Sequence, residues 1–403
     1  MPEKTPDIPL PLGFLFSTAE AAIKKPAKGS KRKDMALIYS EADAVCSAAF
    51  TTNKVKGAPV KLGIERIKSG KARAVVINSG NSNVSTGKRG MGDAREMAAL
   101  AARHLGIPEH LVHVSSTGVI GVPLPMQRIR PRIAEMARSI GSASALDAAG
   151  AIMTTDTFPK VAARRLKIGG RTGTILGICK GAGMIAPKMA TMLCFIMTDI
   201  AVKRSALDRA FKEAVGCSFN RITIDGDMST SDTAIVMANG MLGNKEITAS
   251  SSHYSRFKKA LSGLAYELSK MIARDGEGAT KLIEVEVRGA RTEADALRGA
   301  FTIANSLLVK TAVYGNDANW GRIMAALGRA GIDMSEEKTD IYFGKVRIVS
   351  RGVSTGKYDK AGEALRQKEV KITADLNMGR HKASVLTCDI TEGYIRVNAE
   401  YRT

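Results

Sequence analysis

The segment that joins two β-type runs near the middle of the chain constrains the fold most. Residues 180–199 read KGAGMIAPKMATMLCFIMTD. This segment begins with the last two residues of the run RTGTILGICKG and ends with the run TMLCFIMTD. Their small residues match the dinucleotide-binding pattern G-x-G-x-x-A, and Asp199 lies where a ribose-binding acid is expected. That pattern needs a crossover helix of roughly ten residues or more, and Pro187 interrupts the few residues available. The sequence therefore excludes a dinucleotide site of this type.

Two other enzyme motifs do not occur in the sequence. The Gly-Lys pairs in GNSNVSTGKR and GVSTGKY lack the spacing of a P-loop and the Ser or Thr that follows its lysine. No G-x-S-x-G nucleophile elbow is present, although a triad assembled in space stays open. Neither a nucleotide cradle nor a serine hydrolase is indicated by motif.

Thr191, at the start of the second run, has two interpretations. A threonine hydroxyl becomes a nucleophile when a base lies beside it, and cleavage of the chain before Thr191 would supply its own α-amine as that base. An α-amine has a pKa of about 7.7–8.0, which suits proton transfer at neutral pH. The other interpretation is a β-branched residue that opens a strand. Taken alone, the segment favours this second interpretation.

Length and composition indicate a globular protein with two domains or two intertwined halves. The chain has 403 residues, of which 44% are hydrophobic and 25% charged. It contains no apolar run of eighteen residues, so no membrane span is expected. The N-terminal stretch resembles a secretion signal only in part. Glu3 and Asp7 are acidic where a signal has a basic leader, and Pro9 and Pro11 interrupt the apolar stretch. A cytoplasmic protein is therefore predicted.

Cysteine, histidine and aspartate patterns predict neither a disulfide framework nor a metal site. Five cysteines are widely spaced, with no C-x-x-C pair and no Cys/His cluster. His110 and His113 lie three residues apart, but Pro108 precedes them and a strand-like run follows, so surface or turn histidines are predicted. The three aspartates of DGDMSTSDT do not fit the EF-hand spacing and indicate an acid-rich turn that supports the active site.

The net charge of +21 raises the question of nucleic-acid binding. The densest basic run, KKPAKGSKRKD at residues 24–34, contains six cations, but no aromatic residue interleaves with it. Since stacking platforms for bases are not indicated, a solvated basic loop and no nucleic-acid partner are predicted. Such a surface would attract small anionic substrates or coenzyme A.

Short β-type runs alternate with helical runs along the chain, which predicts an α/β or α+β protein. Helices are predicted at DAREMAALAARHLG, closed by Gly106, at SALDRAFKEAVGCSF, with a capping box from Ser205 to Asp208, and at YSRFKKALSGLAYELSKMIARDG. The alternating run KLIEVEVRGA predicts a half-buried strand. Further strands are predicted at about 307–314, 343–350, 371–376, 383–390 and 394–399.

Motifs along the whole chain resemble those of one enzyme family. KGAGMIAPKMATML resembles the cleavage motif of the ornithine acetyltransferase family, also called glutamate N-acetyltransferase, of arginine biosynthesis. Further matches follow in the family's order: FTTNKVKGAPV, VINSGNSNVSTG, VSSTGVIG, MTTDTFPK, DGDMSTSDT, ARDGEGATK, GNDANWGRI and the terminal VNAEYRT. The resemblance therefore covers nearly all of the chain.

The resemblance implies self-cleavage, a fold and an assembly. The bond between Ala190 and Thr191 would be cut autocatalytically. The resulting α chain, residues 1–190, would hold the oxyanion hole and part of the substrate site, and the β chain, residues 191–403, would begin with the nucleophile. The implied fold is the layered helix–sheet–sheet–helix α/β fold of the self-cleaving aminopeptidases. The implied assembly is a heterotetramer of two α and two β chains.

The resemblance also implies the reaction and its residues. Thr191 would take the acetyl group of N-acetylornithine as an ester and pass it to glutamate, with Thr117 and Gly118 stabilising the oxyanion. The substrate-binding residues that the family implies are Thr154, Lys180, Thr191, Glu277, Asn398 and Thr403. No metal and no cofactor are expected, and acetyl-coenzyme A (acetyl-CoA) is left open as a second acetyl donor. A self-cleaving aminopeptidase of similar fold and a basic nucleic-acid-binding protein are the alternatives.

Overall fold

A computed structural model of the chain describes residues 8–23, 32–186 and 192–400. The chain folds into two units, each assembled from three segments. The first unit contains the described residues of 1–181, 188–220 and 228–268. The second contains the described residues of 182–187, 221–227 and 269–403. These units differ from the α and β chains of the expected cleavage, which stay a prediction.

The first unit is built on one eight-stranded sheet with strand order β4-β3-β2-β8-β7-β6-β5 and with β1 paired to β2. Its strands are β1 (Phe14–Ala19), β2 (Met35–Phe50), β3 (Lys71–Asn78), β4 (Val112–Ser116), β5 (Lys160–Ile168), β6 (Arg171–Lys180), β7 (Leu193–Thr198) and β8 (Thr233–Ala238). Its helices are α1 (Ala58–Arg66), α2 (Gly87–Leu105), α3 (Met126–Arg138), α4 (Ala145–Ala151), α5 (Arg204–Cys217) and α6 (Tyr254–Arg274), whose last residues belong to the second unit.

The long strand β2 divides this sheet into two halves that face each other. Its register shifts between Tyr39 and Ala44; the part before the shift pairs with β1 and β3, and the last residues pair with β8. Val75 on β3 and Phe195 on β7 meet in one buried core, although their strands are not neighbours in the sheet. Helices α1, α2 and α3 cover the outer face of the first half, and α6 packs against Gly177 on the outer face of the second. The unit is therefore layered as helix, sheet, sheet and helix.

The second unit has one six-stranded sheet with strand order β12-β11-β10-β13-β9-β14 and a buried core of its own. Its strands are β9 (Leu282–Ala290), β10 (Asp340–Phe343), β11 (Val346–Ser350), β12 (Val353–Ser354), β13 (Glu369–Asp375) and β14 (His381–Cys388). Its helices are α7 (Glu293–Ala304), α8 (Leu307–Tyr314), α9 (Trp320–Gly328), α10 (Tyr358–Leu365) and α11 (Glu392–Ala399). β9 alternates between buried and half-buried residues, as its sequence predicted.

Two of the predicted strands are helices. Residues 307–314 form α8, and residues 394–399 belong to α11. A run of about eight apolar residues fits either structure, and the N-terminal cap decides between them. The Ser306 hydroxyl accepts a hydrogen bond from the backbone N–H three residues later, and the Thr391 hydroxyl accepts one from the N–H two residues later. Each segment therefore begins as a capped helix.

The start of α5 also differs from its prediction, whereas the end of α2 is confirmed. α5 begins at Arg204 without a side-chain cap, so Ser205 lies inside its first turn and the predicted capping box is wrong. Asp208 lies 3.8 Å from the Arg204 guanidinium one turn earlier. Gly106 ends α2 in the left-handed conformation, with a φ of 66°, which glycine adopts without strain.

His113 is buried in β4, so the predicted surface or turn position is wrong for this residue, whereas His110 is exposed. Burial, together with the Arg66 cation, lowers the pKa of His113 to about 4. Neither of its ring nitrogens has a hydrogen-bond partner among the residues that the structure describes. The ring is therefore neutral at physiological pH and serves as a packed core residue.

Candidate active site

Lys180, at the end of β6, brings together three of the predicted site residues in the first unit. Its side chain is buried, and its Nζ donates a hydrogen bond to Thr154 Oγ1 at 2.7 Å. The same Nζ lies 3.5 Å from Thr117 Oγ1. These residues come from separate segments of the chain. The structure thus places a buried cation beside the residue that the sequence assigns to the oxyanion hole.

Asp156, which the sequence analysis did not identify, supports this arrangement. Its carboxylate lies 2.7 Å from Lys160 Nζ and 3.8 Å from Lys180 Nζ. It also accepts hydrogen bonds from Thr154 N at 3.0 Å and Gly181 N at 2.6 Å. Burial alone would raise the pKa of Asp156, but the two lysines and the hydrogen bonds outweigh burial and hold this pKa well below its usual range. The carboxylate is therefore ionised, and it holds the backbone at Thr154 and at Gly181.

Thr117 and Gly118 lie in a turn directly after β4. Thr117 N donates a hydrogen bond to Asn78 O at 3.0 Å, which joins the turn to the end of β3. Gly118 has a φ of 131°, and a Cβ at this position would lie 2.3 Å from the carbonyl carbon of Gly80. Both the conformation and the close approach require glycine. The turn therefore has a fixed geometry.

Glu277 and Asn398, two predicted substrate residues, are in contact in the second unit. Asn398 Nδ2, on α11, donates a hydrogen bond to Glu277 Oε2 at 2.8 Å. Glu277 N donates one to Ala182 O at 2.8 Å. A Cβ at Gly183 would lie 2.3 Å from the carboxyl carbon of Glu277. The Glu277 side chain thus lies against the segment that leads towards the predicted cleavage bond.

Asp225, in the motif DGDMSTSDT, holds the same segment of the second unit. Its carboxyl group accepts hydrogen bonds from Met184 N at 2.5 Å and Ile185 N at 2.8 Å. Met184 has a φ of 56°, an uncommon value for a residue with a side chain. Burial raises the pKa of Asp225, and the backbone hydrogen bonds offset only part of that effect. Asp225 therefore stabilises an unusual backbone conformation a few residues before Ala190.

Asp232, the last acid of that motif, is buried in the first unit. Its Oδ1 accepts a hydrogen bond from Met192 N at 3.1 Å. Burial raises the pKa of Asp232 far above its usual range, and the Met192 bond, nearby hydroxyl groups and a lysine lower it only in part. The two ends of one motif thus hold the chain before and after the predicted cut, each within its own unit.

Three predicted site residues, Ala190, Thr191 and Thr403, lie outside the described residues. The strand predicted to follow Thr191 is confirmed as β7, which begins at Leu193. In the described part of the chain, no group of three or more His, Cys, Asp or Glu side chains could hold a metal ion. Over the same residues, no helix is long and apolar enough to cross a membrane.

A family model described as the ArgJ family matches residues 16–403. The chain belongs to the ArgJ family. It is 53% identical over 393 residues to the arginine biosynthesis bifunctional protein ArgJ of Geobacter sulfurreducens, a match that covers 97% of this chain and 99% of that relative. It is also 46% identical to the glutamate N-acetyltransferase of Methanocaldococcus jannaschii, over 96% of this chain and 98% of that relative. These matches confirm the resemblance found in the motifs.

A solved ArgJ structure resembles part of the chain. The crystal structure of the arginine biosynthesis bifunctional protein argJ from Bacillus halodurans is 42% identical, with a TM-score of 0.50. The match covers 51% of this chain and 97% of the crystallised chain, which is therefore about half as long. Together with the two sheets and their packed helices, this match confirms the α/β fold of the ornithine acetyltransferase type.

Proposed function

We propose that this protein is a glutamate N-acetyltransferase (ornithine acetyltransferase) that moves the acetyl group of N2-acetyl-L-ornithine to L-glutamate in arginine biosynthesis. Relatives named arginine biosynthesis bifunctional protein ArgJ and glutamate N-acetyltransferase match it over nearly their whole lengths. The observation that carries the proposal is the contact of Lys180 with both Thr154 and Thr117. Residues from three separate family motifs meet at this one buried cation.

The acetyl group would be carried by Thr191 after the chain has cleaved itself before this residue. The new α-amine would take the proton of the Thr191 hydroxyl as that oxygen attacks the acetyl carbonyl. Ornithine leaves, glutamate enters, and its amine attacks the same ester in a ping-pong course. The crystallised ArgJ chain of about half this length supports a division into chains 1–190 and 191–403. We expect two copies of each chain to assemble as a heterotetramer.

Thr117 and Gly118 would stabilise the negative charge that each addition puts on the carbonyl oxygen. A lysine ammonium only donates hydrogen bonds, so Thr117 Oγ1 accepts from Lys180 and directs its own O–H elsewhere. The fixed turn at Gly118 orients the adjoining peptide N–H. Removing one preorganised donor of this kind costs about 3–4 kcal/mol of transition-state stabilisation.

The substrate contacts follow from the charges of an amino acid, which presents a carboxylate and a cationic amine. Lys180, together with Thr154, suits the carboxylate. Glu277, bound by Asn398, suits the amine, as does the terminal carboxylate of Thr403. Acetyl-CoA as a second acetyl donor, a cytoplasmic location and the lack of a nucleic-acid partner stay predictions from the sequence.

The test compares wild type with Thr191→Ala in two glutamate acetylation assays, one with N-acetylornithine and one with acetyl-CoA as donor. We expect wild type to run as two fragments with a new N-terminus at Thr191 and to use N-acetylornithine. Thr191→Ala should stay one inactive chain of 42.9 kDa. Full transfer by an uncut chain would contradict the mechanism. Release of N-terminal residues from peptides, without acetyl transfer, would favour the aminopeptidase alternative.

A further inference from the structure

Tyr394 lies in the first turn of α11, one helical turn before the predicted substrate residue Asn398. Its carbonyl oxygen accepts a hydrogen bond from Asn398 Nδ2 at 3.0 Å. The same Nδ2 donates to Glu277 Oε2 at 2.8 Å, and Glu277 is buried. Asn398 therefore joins Tyr394 to the carboxylate that is predicted to bind the substrate amine.

The start of α11 is held against the loop that carries Glu277. Thr391 Oγ1 donates a hydrogen bond to Gly278 O at 2.6 Å. Gly278 has a φ of 68°, and a Cβ at this position would lie 2.4 Å from Tyr394 N. Both the conformation and the close approach require glycine. The backbone of Tyr394 thus has a fixed position beside the residue that follows Glu277.

The phenolic hydroxyl of Tyr394 lies among carboxyl groups of the second unit. The side chain is half-buried, and its O–H donates a hydrogen bond to the carboxyl group of Asp225. A phenol is neutral at physiological pH, and burial together with Asp225, Glu277 and Asp227 raises the pKa of Tyr394 further, to about 12. A neutral phenol has one O–H to donate and lone pairs that accept hydrogen bonds. The hydroxyl can therefore bind either a cation or an anion.

The two substrates of the proposed reaction have side chains of opposite charge and similar reach. The α-amine of N-acetylornithine is acetylated, so its free cation is the side-chain ammonium. Glutamate has a carboxylate instead, and its oxygens are separated from the α-carbon by the same number of bonds as that ammonium nitrogen. Both amino acids react at the same acetyl ester in a ping-pong course, so one part of the site must bind each group in turn. Carboxylates alone would attract the ammonium and repel the carboxylate.

We propose that Tyr394 is a specificity-determining residue whose hydroxyl binds the end of the substrate side chain, an inference that rests on the proposed function. With N-acetylornithine, the hydroxyl accepts a hydrogen bond from the side-chain ammonium, which Glu277 also binds, while its O–H stays on Asp225. With glutamate, the O–H turns from Asp225 to the side-chain carboxylate and donates to it. A carboxylate only accepts and an ammonium only donates, so neither could bind both side chains.

The test measures kcat/KM for each substrate separately, because each value of a ping-pong course reports on its own half-reaction. Tyr394→Phe keeps the ring and removes the hydroxyl. We expect kcat/KM for glutamate to fall about 10-fold or more, since a hydrogen bond to a charged group is lost. The value for N-acetylornithine should fall much less, because its ammonium keeps Glu277 and gains the carboxylate of Asp225.

The matched control is Tyr314→Phe, which also removes a contact between a phenol and a carboxylate at α11. Tyr314, on α8, donates a hydrogen bond to Glu392 Oε2 at 2.8 Å. Its loss should leave both kcat/KM values unchanged. Cooperative melting and self-cleavage are measured in both variants, so that a folding defect is recognised before the kinetics are compared.

A second acceptor, L-norvaline, has a methyl group in place of the side-chain carboxylate of glutamate. Wild type should prefer glutamate about 10-fold or more, and Tyr394→Phe should lose most of that preference. If Tyr394→Phe shows no cooperative melting, the wild-type preference decides: its presence supports the inference, and equal use of both acceptors overturns it.

Two outcomes separate the role of Tyr394 from the proposed function. No loss in Tyr394→Phe, or equal losses for both substrates, overturns the role of Tyr394 and leaves the proposed function standing. A wild-type protein that moves no acetyl group from N-acetylornithine to glutamate overturns the proposed function itself.

Discussion

The carboxylate of Asp156 is shared by two buried lysines, with Lys160 Nζ at 2.7 Å and Lys180 Nζ at 3.8 Å. The same carboxylate accepts hydrogen bonds from the backbone of Thr154 and Gly181. It therefore links the loop before β5 to the end of β6. Together with the hydrogen bond from Lys180 Nζ to Thr154 Oγ1, it helps to hold Lys180 beside the predicted oxyanion residue Thr117.

Asp156→Asn should destabilise the fold strongly, because it removes a buried counter-charge from two lysines. Loss of one partner of a buried ion pair costs about 3–5 kcal/mol. The comparison is Glu213→Gln, whose partner Lys258 lies 2.9 Å away with both side chains at least 32% exposed, and which should cost less than about 1 kcal/mol. Urea unfolding of both variants, made in the uncut Thr191→Ala chain, measures the difference. Equal losses would contradict the role given to Asp156.

Thr117→Ala should lower kcat far more than it raises KM. Its hydroxyl would act on charge that develops in the transition state, so its removal should reduce kcat by about 10²–10³. Thr117→Ser keeps the hydroxyl and serves as the control, with kcat close to wild type. Steady-state kinetics with N-acetylornithine and glutamate provide the measurement. An unchanged kcat in Thr117→Ala would remove this residue from the mechanism.

Gly183→Ala should weaken substrate binding by displacing Glu277. The new Cβ would lie 2.3 Å from the Glu277 carboxyl carbon, so that side chain must swing away from Asn398. The displaced carboxylate would no longer bind the substrate amine. The loss of that hydrogen bond to a charged group costs about 1.5–3 kcal/mol, which predicts a KM about 10- to 100-fold higher. Gly263→Ala on α6 is the control, because a Cβ there meets no atom within 4 Å. An unaltered KM in Gly183→Ala would show that Glu277 does not bind the substrate amine.

His113 should make the fold sensitive to acid. Its pKa is about 4 in the folded chain, below the ordinary value of about 6.5 for an unfolded chain. Between these two pH values the unfolded chain binds the additional proton, so the free energy of unfolding falls as the pH falls through this window, by up to about 3 kcal/mol. His113→Gln should flatten that slope, and His104→Gln, at an exposed position, should leave it unchanged. Unfolding measured at several pH values between 7 and about 4 compares the slopes.

The family motifs pointed to a set of predicted site residues but not to the residues that hold them in place. Thr117, Thr154 and Lys180 each belong to one of the family motifs, and the structure places Lys180 Nζ against the hydroxyl groups of both threonines. Asp156 and Lys160 also lie in a motif, MTTDTFPK, but a loop has no periodicity that marks which polar residues become buried. Only the fold, which buries both residues, gives that ion pair its role.

Segments such as α8 could not be predicted from local pattern, because LLVKTAVY is apolar and β-branched enough for a strand. Its buried residues include Val309, Lys310 and Val313, a spacing that fits one helix face once the Ser306 cap has set the start. Lys310 reaches Thr387 on β14, a contact 77 residues away in sequence. Long-range contacts of this kind help to decide between helix and strand, and they cannot be inferred from a sequence window of eight residues.

Helix α11, the last helix of the second unit, carries a predicted substrate residue. It carries Asn398, which binds Glu277, and the family resemblance assigns a substrate contact to the carboxylate of Thr403, outside the described residues. A tag appended after Thr403 would turn that carboxylate into an amide, so we expect a large loss of acetyl transfer. Self-cleavage before Thr191 should be retained, because it does not use the substrate contacts. A tag at the N-terminus is the control, and both activities are measured on each protein. Full turnover by the C-terminally tagged protein would exclude Thr403 from the site.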